Sequence, residues 1–130
     1  MDSSTQMNAV TVPEFGGAEV LRVARRPVPE PGPGQVAVDV AYAGANFAEI
    51  LYRRCVVDVP LPFVPGIEVA GRIRAVGEGG RAPGRRAAGG GAHDRRQRGL
   101  REVAVTSADL VAPLDGLSLS MEVAAAVAAP

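Results

Sequence analysis

Lysine and tryptophan are missing from this sequence, and cysteine occurs once. The lone Cys55 excludes an intramolecular disulfide and the usual cysteine-based structural zinc sites, and it fits a reducing compartment. Aromatic bulk is confined to Phe15, Tyr42, Phe47, Tyr52 and Phe63, so a core has to rest on Val, Ile, Leu and Ala. Net charge is absent as well. Fourteen basic residues, all Arg, offset 14 acidic ones, and nothing global draws the chain to nucleic acid or to an anionic membrane. No apolar run approaches the ~20 residues of a membrane span. The opening MDSSTQMNAV lacks the basic flank and apolar stretch of a secretory signal. A soluble cytoplasmic protein without nucleic-acid or membrane partners is the resulting expectation.

What is present is apolar enough to fold. Residues of that kind make up 47% of the 130, too many for a disordered chain, and the length suits one domain. Up to Glu78 the pattern is that of short strands punctuated by Gly and Pro. Ala9 to Val12 predicts a first strand, and Glu14 to Gly17 a turn. Glu19 to Ala24 predicts the second strand of a hairpin, with Leu21 and Val23 on one face. Pro27, Pro29, Pro31 and Pro33 impose an extended connection that cannot donate ladder hydrogen bonds at those positions. Val36, Val38, Val40 and Tyr42 then recur with a period of two, as do Ile67, Val69, Gly71, Ile73 and Ala75, so each run predicts a half-buried strand.

Between those strands the period changes. Phe47, Ile50 and Leu51 lie at helical spacing, Asn46 is a good N-cap, and Glu49 three residues later completes a capping-box pattern. Glu49 and Arg53 stand one turn apart, where they can pair. Further on, Gly79 to Arg101 holds seven Gly, seven Arg and four Ala. It predicts a solvated loop contributing little core, with an anion-binding patch as the sharper alternative. Strands are expected again at Val103 to Val105 and Leu110 to Leu114, and an Ala-rich helix from Ser118 to Ala129. That helix has nothing after it to pack on, which points to a chain cut short.

Three stretches, EFGGAEVLRV at 14 to 23, PVPEPGPGQVAVDVAYAGANFAEILYRR at 27 to 54 and PFVPGIEVAGRIRAVGEG at 62 to 79, are joined by SADLVAPLDGLSLSMEVAAAVAAP at 107 to 130. Together they resemble the N-terminal, chaperonin-10-like (GroES-like) domain of the medium-chain dehydrogenases and reductases, and more closely their zinc-independent quinone oxidoreductase branch. The resemblance covers about three-fifths of the chain, in the family's order. It implies a mainly β, partly open barrel over residues 1 to 130, with a short helix after Asn46 and a C-terminal helix. It also implies a following nucleotide-binding Rossmann domain, which this sequence does not contain.

Zinc-dependent members carry a Cys ligand and a His ligand where this chain has Asn46 and Ile67. An amide is a poor zinc ligand and a hydrocarbon none, so the resemblance implies no metal. It implies instead direct hydride transfer from NADPH to a quinone or activated alkene. Asn46 matches the family residue that reaches both nicotinamide and substrate, its bland alternative being a helix cap. Tyr52 and Arg53 are candidate substrate contacts, or else packing and surface residues. Glu68 either lies by the cleft or pairs with Arg72 or Arg74. Family members often dimerise.

The pattern breaks between Gly80 and Arg101, where relatives carry an apolar strand; translation out of frame in GC-rich DNA would produce such a stretch. The GGG at 89 to 91 follows no apolar strand and opens no helix, so it is not a dinucleotide loop. An isolated 130-residue chain is therefore expected to be inactive. The competing readings are a non-catalytic binding or assembly module and a fragment of an enoyl reductase.

Overall fold

The computed structural model describes residues 5–82, 84–90 and 100–127. Strands β1 (Gln6–Thr11) and β2 (Arg22–Pro27) pair antiparallel as the expected hairpin, with Ala9 opposite Ala24. The second strand begins later than its pattern suggests, because Ala18–Val20 forms a single 3-10 turn that buries Val20. Val23 consequently faces outward and is 73% exposed, so it is not part of the core face expected of it.

A second sheet contains β3 (Gln35–Ala43), β4 (Glu68–Val76), β5 (Arg86–Gly90), β6 (Val103–Ser107) and β7 (Val111–Pro113) in the order β6-β3-β4-β5-β7. Every neighbouring pair in it is antiparallel. The result is a mostly β, curled half-barrel. The hairpin leans against one side of it, where the Val10 N–H donates to the Leu100 carbonyl at 2.8 Å and the Glu102 N–H to that of Asn8 at 3.2 Å.

Two irregularities interrupt the β3–β4 ladder, between Ala37 and Val38 and between Val40 and Tyr42. Gly71 lies opposite Val40 there, and a Cβ at that position would collide with the Asp39 carbonyl oxygen. Glycine lets the two backbones approach where the strand bends.

The expectation that Gly79 to Arg101 forms only a loop is corrected by β5, which lies between β4 and β7. Ala87 and Ala88 in it are buried. These side chains lack bulk, but they need little. Helix α2 (Met121–Val127) packs on β3, β4 and β5, and its Ala124 and Ala125 meet Ala70, Ala88 and Leu114 in one cluster. Small residues on both faces let helix and sheet close up without a void. The buried face of this helix is covered by the sheet that precedes it in the chain. Residues 91–99 of the Gly/Arg-rich stretch lie outside the described residues, as do Ala128 and Ala129 of the expected helix.

Candidate functional site

Helix α1 (Phe47–Arg53) starts because Asn46 is extended, with φ −124° and ψ 155°, at its N-cap. Glu49 closes the expected capping box, its Oε2 accepting from the Asn46 backbone N–H at 2.7 Å. The Asn46 side chain reaches across to β4, where Nδ2 donates to Glu68 Oε1 at 2.7 Å. Capping and side-chain recognition are thus compatible, because an amide has a donor end and an acceptor end.

Both carboxylates are buried, Glu68 at 3% exposure and Glu49 at 9%. Glu68 fits because Gly44 leaves room for it: a Cβ on Gly44 would overlap the Glu68 carboxylate. The Gly44 N–H also donates to the Glu68 carbonyl at 3.1 Å. Glu49 Oε1 is buried without a hydrogen-bond partner. Burial pushes the Glu49 carboxyl above the ordinary value of 4.5, and the nearby Glu68 carboxylate pushes it the same way. The Asn46 and Ile67 backbone amides pull against them without winning.

A group that holds its proton more tightly when folded stabilises the fold fully below its unfolded value. That contribution is lost as pH rises through the folded one. Glu49 should therefore penalise the fold increasingly as pH climbs above 4.5. Urea midpoints measured between about pH 4 and about pH 8 should fall relative to those of Glu49→Gln. A wild type that instead gains on the Gln variant with rising pH would contradict the assigned cause.

Asn46 and Glu49 line a cleft of about 480 Å³ together with Val12, Leu21, Ala45, Phe47, Ile50, Arg53, Pro65 and Leu100. Its walls are mostly apolar, with Asn46 and Glu49 at the start of α1 and Arg53 at its end as the polar and charged lining groups. Phe47 is 71% exposed at its rim. Of the three residues singled out from the sequence, the fold brings Asn46 and Arg53 to this cleft. Tyr52 packs instead against the buried cluster of Val12, Val20 and Phe63.

Arg53 does not pair with Glu49 as the helical spacing suggested. Its Nε donates to the Gly16 carbonyl at 3.3 Å, and the Gly16 N–H returns a bond to the Arg53 carbonyl at 2.9 Å. Glu49 is turned to the N-cap instead. Arg74, one suggested partner of Glu68, bridges to Asp39 across the strands at 3.0 Å. Cys55 is exposed, with φ 61°. His93 lies outside the described residues.

Sequence reasoning missed Leu100, which was assigned to the Gly/Arg loop, and Gly44. Leu100 was the one large aliphatic in that stretch, and this was the available signal. Its N–H donates to the Pro65 carbonyl at 2.9 Å, which holds the side chain over the cleft. Gly44 carried no local signal, since its neighbour Glu68 is distant in sequence.

Residues 32–116 match the alcohol dehydrogenase GroES-like domain family. Among curated proteins, the chain is 46% identical over 69 residues to the rat synaptic vesicle membrane protein VAT-1 homolog, covering 50% of this chain and 17% of that protein. It is 38% identical over 69 residues to a probable quinone oxidoreductase of Schizosaccharomyces pombe, covering 53% and 21% respectively. Among solved structures, mycobacterial Rv1454c complexed with NADPH superposes with a TM-score of 0.81 at 34% identity, over 92% of this chain and 35% of that one. The matched region is thus about a fifth of the curated relatives' length.

Proposed function

Since this chain belongs to the alcohol dehydrogenase GroES-like domain family, we propose that it forms the substrate side of an NADPH-dependent, zinc-independent quinone oxidoreductase. The observation that carries the reading is the apolar cleft lined by Asn46, the residue that family resemblance assigns to nicotinamide and substrate. Likeness to a probable quinone oxidoreductase and to an NADPH-bound structure supports the same substrate and cofactor class. No helix among the described residues is long and apolar enough to cross a membrane.

The donor set does not fit zinc. Ile67 offers no lone pair, and Asn46 turns its amide nitrogen onto Glu68. The reaction therefore relies on position and shape.

Bound NADPH would supply the hydride. The chain's own share is to hold the acceptor: Val12, Leu21, Ile50 and Pro65 exclude water from one face, and Asn46 supplies a polar group beside the bound ring. Arg53 contributes a cation at the same cleft, anchored through the Gly16 carbonyl. An apolar, half-enclosed site of this kind suits a planar quinone or enone, which has a large apolar face and few polar atoms.

Among the described residues no strand leads through a Gly-rich loop into a helix, the usual dinucleotide site. The isolated chain should therefore show no NADPH oxidation with a tetramethyl quinone. Grafted in frame onto the nucleotide-binding domain of the mycobacterial relative, in place of that protein's own N-terminal domain, it should restore quinone-dependent oxidation that is insensitive to a zinc chelator. A folded graft that binds NADPH but reduces neither quinone nor enone would refute the proposal.

A further inference from the structure

Asn46 is held at two atoms by two buried carboxylates from different elements. Glu49, one turn into α1, takes its backbone N–H, and Glu68, at the start of β4, takes its side-chain nitrogen, both at 2.7 Å. Surface asparagines rotate freely, and either end of the amide can face a ligand. A carboxylate can only accept, so at 2.7 Å it selects the nitrogen end. We propose that Glu68 is a positioning residue that locks the Asn46 amide with its nitrogen turned away, so that the oxygen Oδ1 meets the ligand and the cleft prefers hydroxyl-bearing molecules.

Three observations support the lock. Glu68 is 3% exposed, so its carboxylate has little freedom to leave. Gly44 provides the space it occupies, since a Cβ there would overlap it, and the Gly44 N–H anchors the Glu68 backbone. Asn46 itself lines the cleft. An amide oxygen has two lone pairs, so closing the capping box does not exhaust it.

The ligand class follows from polarity. A carbonyl oxygen of a quinone is an acceptor and gains nothing from Oδ1, whereas the hydroxyl of a quinol, phenol or alcohol donates to it. On this reading, which rests on the proposed function, Asn46 grips the reduced product more strongly than the oxidised substrate. Release of the quinol would then be the step it slows.

The chain suits a direct test by nitrogen-15 NMR, because its side-chain amides come only from Asn8, Asn46, Gln6, Gln35 and Gln97. The Asn46 pair, assigned by its disappearance in Asn46→Asp, should show one proton displaced downfield and slow to exchange with water. Glu68→Gln, close to isosteric, should abolish that signature while leaving distant backbone resonances in place. Gly44→Ala should do the same by expelling the carboxylate, and the wild-type signature is readable even if either variant fails to fold. An Asn46 pair with ordinary shifts and fast exchange in the wild type would overturn the lock. So would a signature that survives Glu68→Gln in a folded protein.

Titration with tetramethylhydroquinone and with tetramethylquinone then reads the preference. Selective perturbation of the Asn46 amide by the hydroquinone supports the proposal, and equal or stronger perturbation by the quinone overturns the assigned polarity. An intact signature that neither compound moves would overturn the ligand preference and the proposed function together, while leaving the Glu68 contact as a structural one.

Discussion

Phe63→Ala should lower the free energy of unfolding by about 3–5 kcal/mol. Phe63 is the one aromatic ring that this aromatic-poor chain buries almost completely, at 5% exposure. It clusters with Val12 and Val20, and Phe15, Leu21, Tyr52 and Val59 pack around them. Its backbone exchanges two hydrogen bonds with Val12, at 2.8 and 3.2 Å, so the ring's surroundings are fixed and cannot collapse far into the space it leaves. That is the circumstance in which a cavity is costly.

A domain of this size holds a total of only about 5–15 kcal/mol, so the variant should lose between about a fifth of its stability and all of it. Urea denaturation followed by circular dichroism measures this. A loss under about 1 kcal/mol would mean that the cluster relaxes. Because Val12 and Leu21 also line the cleft, the damage should reach the site, widening its apolar wall.

Asn46→Ala in the grafted enzyme should reduce kcat/KM for a quinone by roughly 10²-fold, the scale seen when a reacting group is misplaced by about 1 Å. Two effects combine. The Oδ1 acceptor for the hydroxyl that forms as the quinone is reduced is lost, and Glu68, already buried, loses the Nδ2 donor that meets it at 2.7 Å. Asn46→Asp should be worse than Ala for stability, because it places a third carboxylate beside the buried Glu49 and Glu68. Steady-state rates at several quinone concentrations, with NADPH saturating, separate binding from turnover. If the Ala variant keeps wild-type kcat/KM, Asn46 serves only as a helix cap.

The elements that could be read from residues alone were those whose pattern is local. The alternation in β3 and β4 and the capping pair Asn46 and Glu49 needed no partner to be recognised, since period and cap chemistry act within a few residues. The errors fell where a distant partner decides. Glu49 and Arg53 have ideal helical spacing, yet the fold supplies Gly16 as a nearer acceptor for the guanidinium. The stretch containing Ala87 and Ala88 looked too small to be core. It is core because an equally small helix face lies over it.

The sequence by itself determined a β-rich chain with one short capped helix, and the resemblance it carries implies an amide and a hydrocarbon where zinc-dependent family members have ligands. These depend on covalent identity and on short-range periodicity, which no folding event alters. Only the tertiary structure decided that Glu68 from β4 meets Asn46 from the start of α1, that Gly44 makes room for it, and that Leu100 covers the cleft while Tyr52 turns into the core. Those contacts join residues far apart in the chain, where each side chain's direction is set by the packing of whole elements and not by its neighbours in sequence.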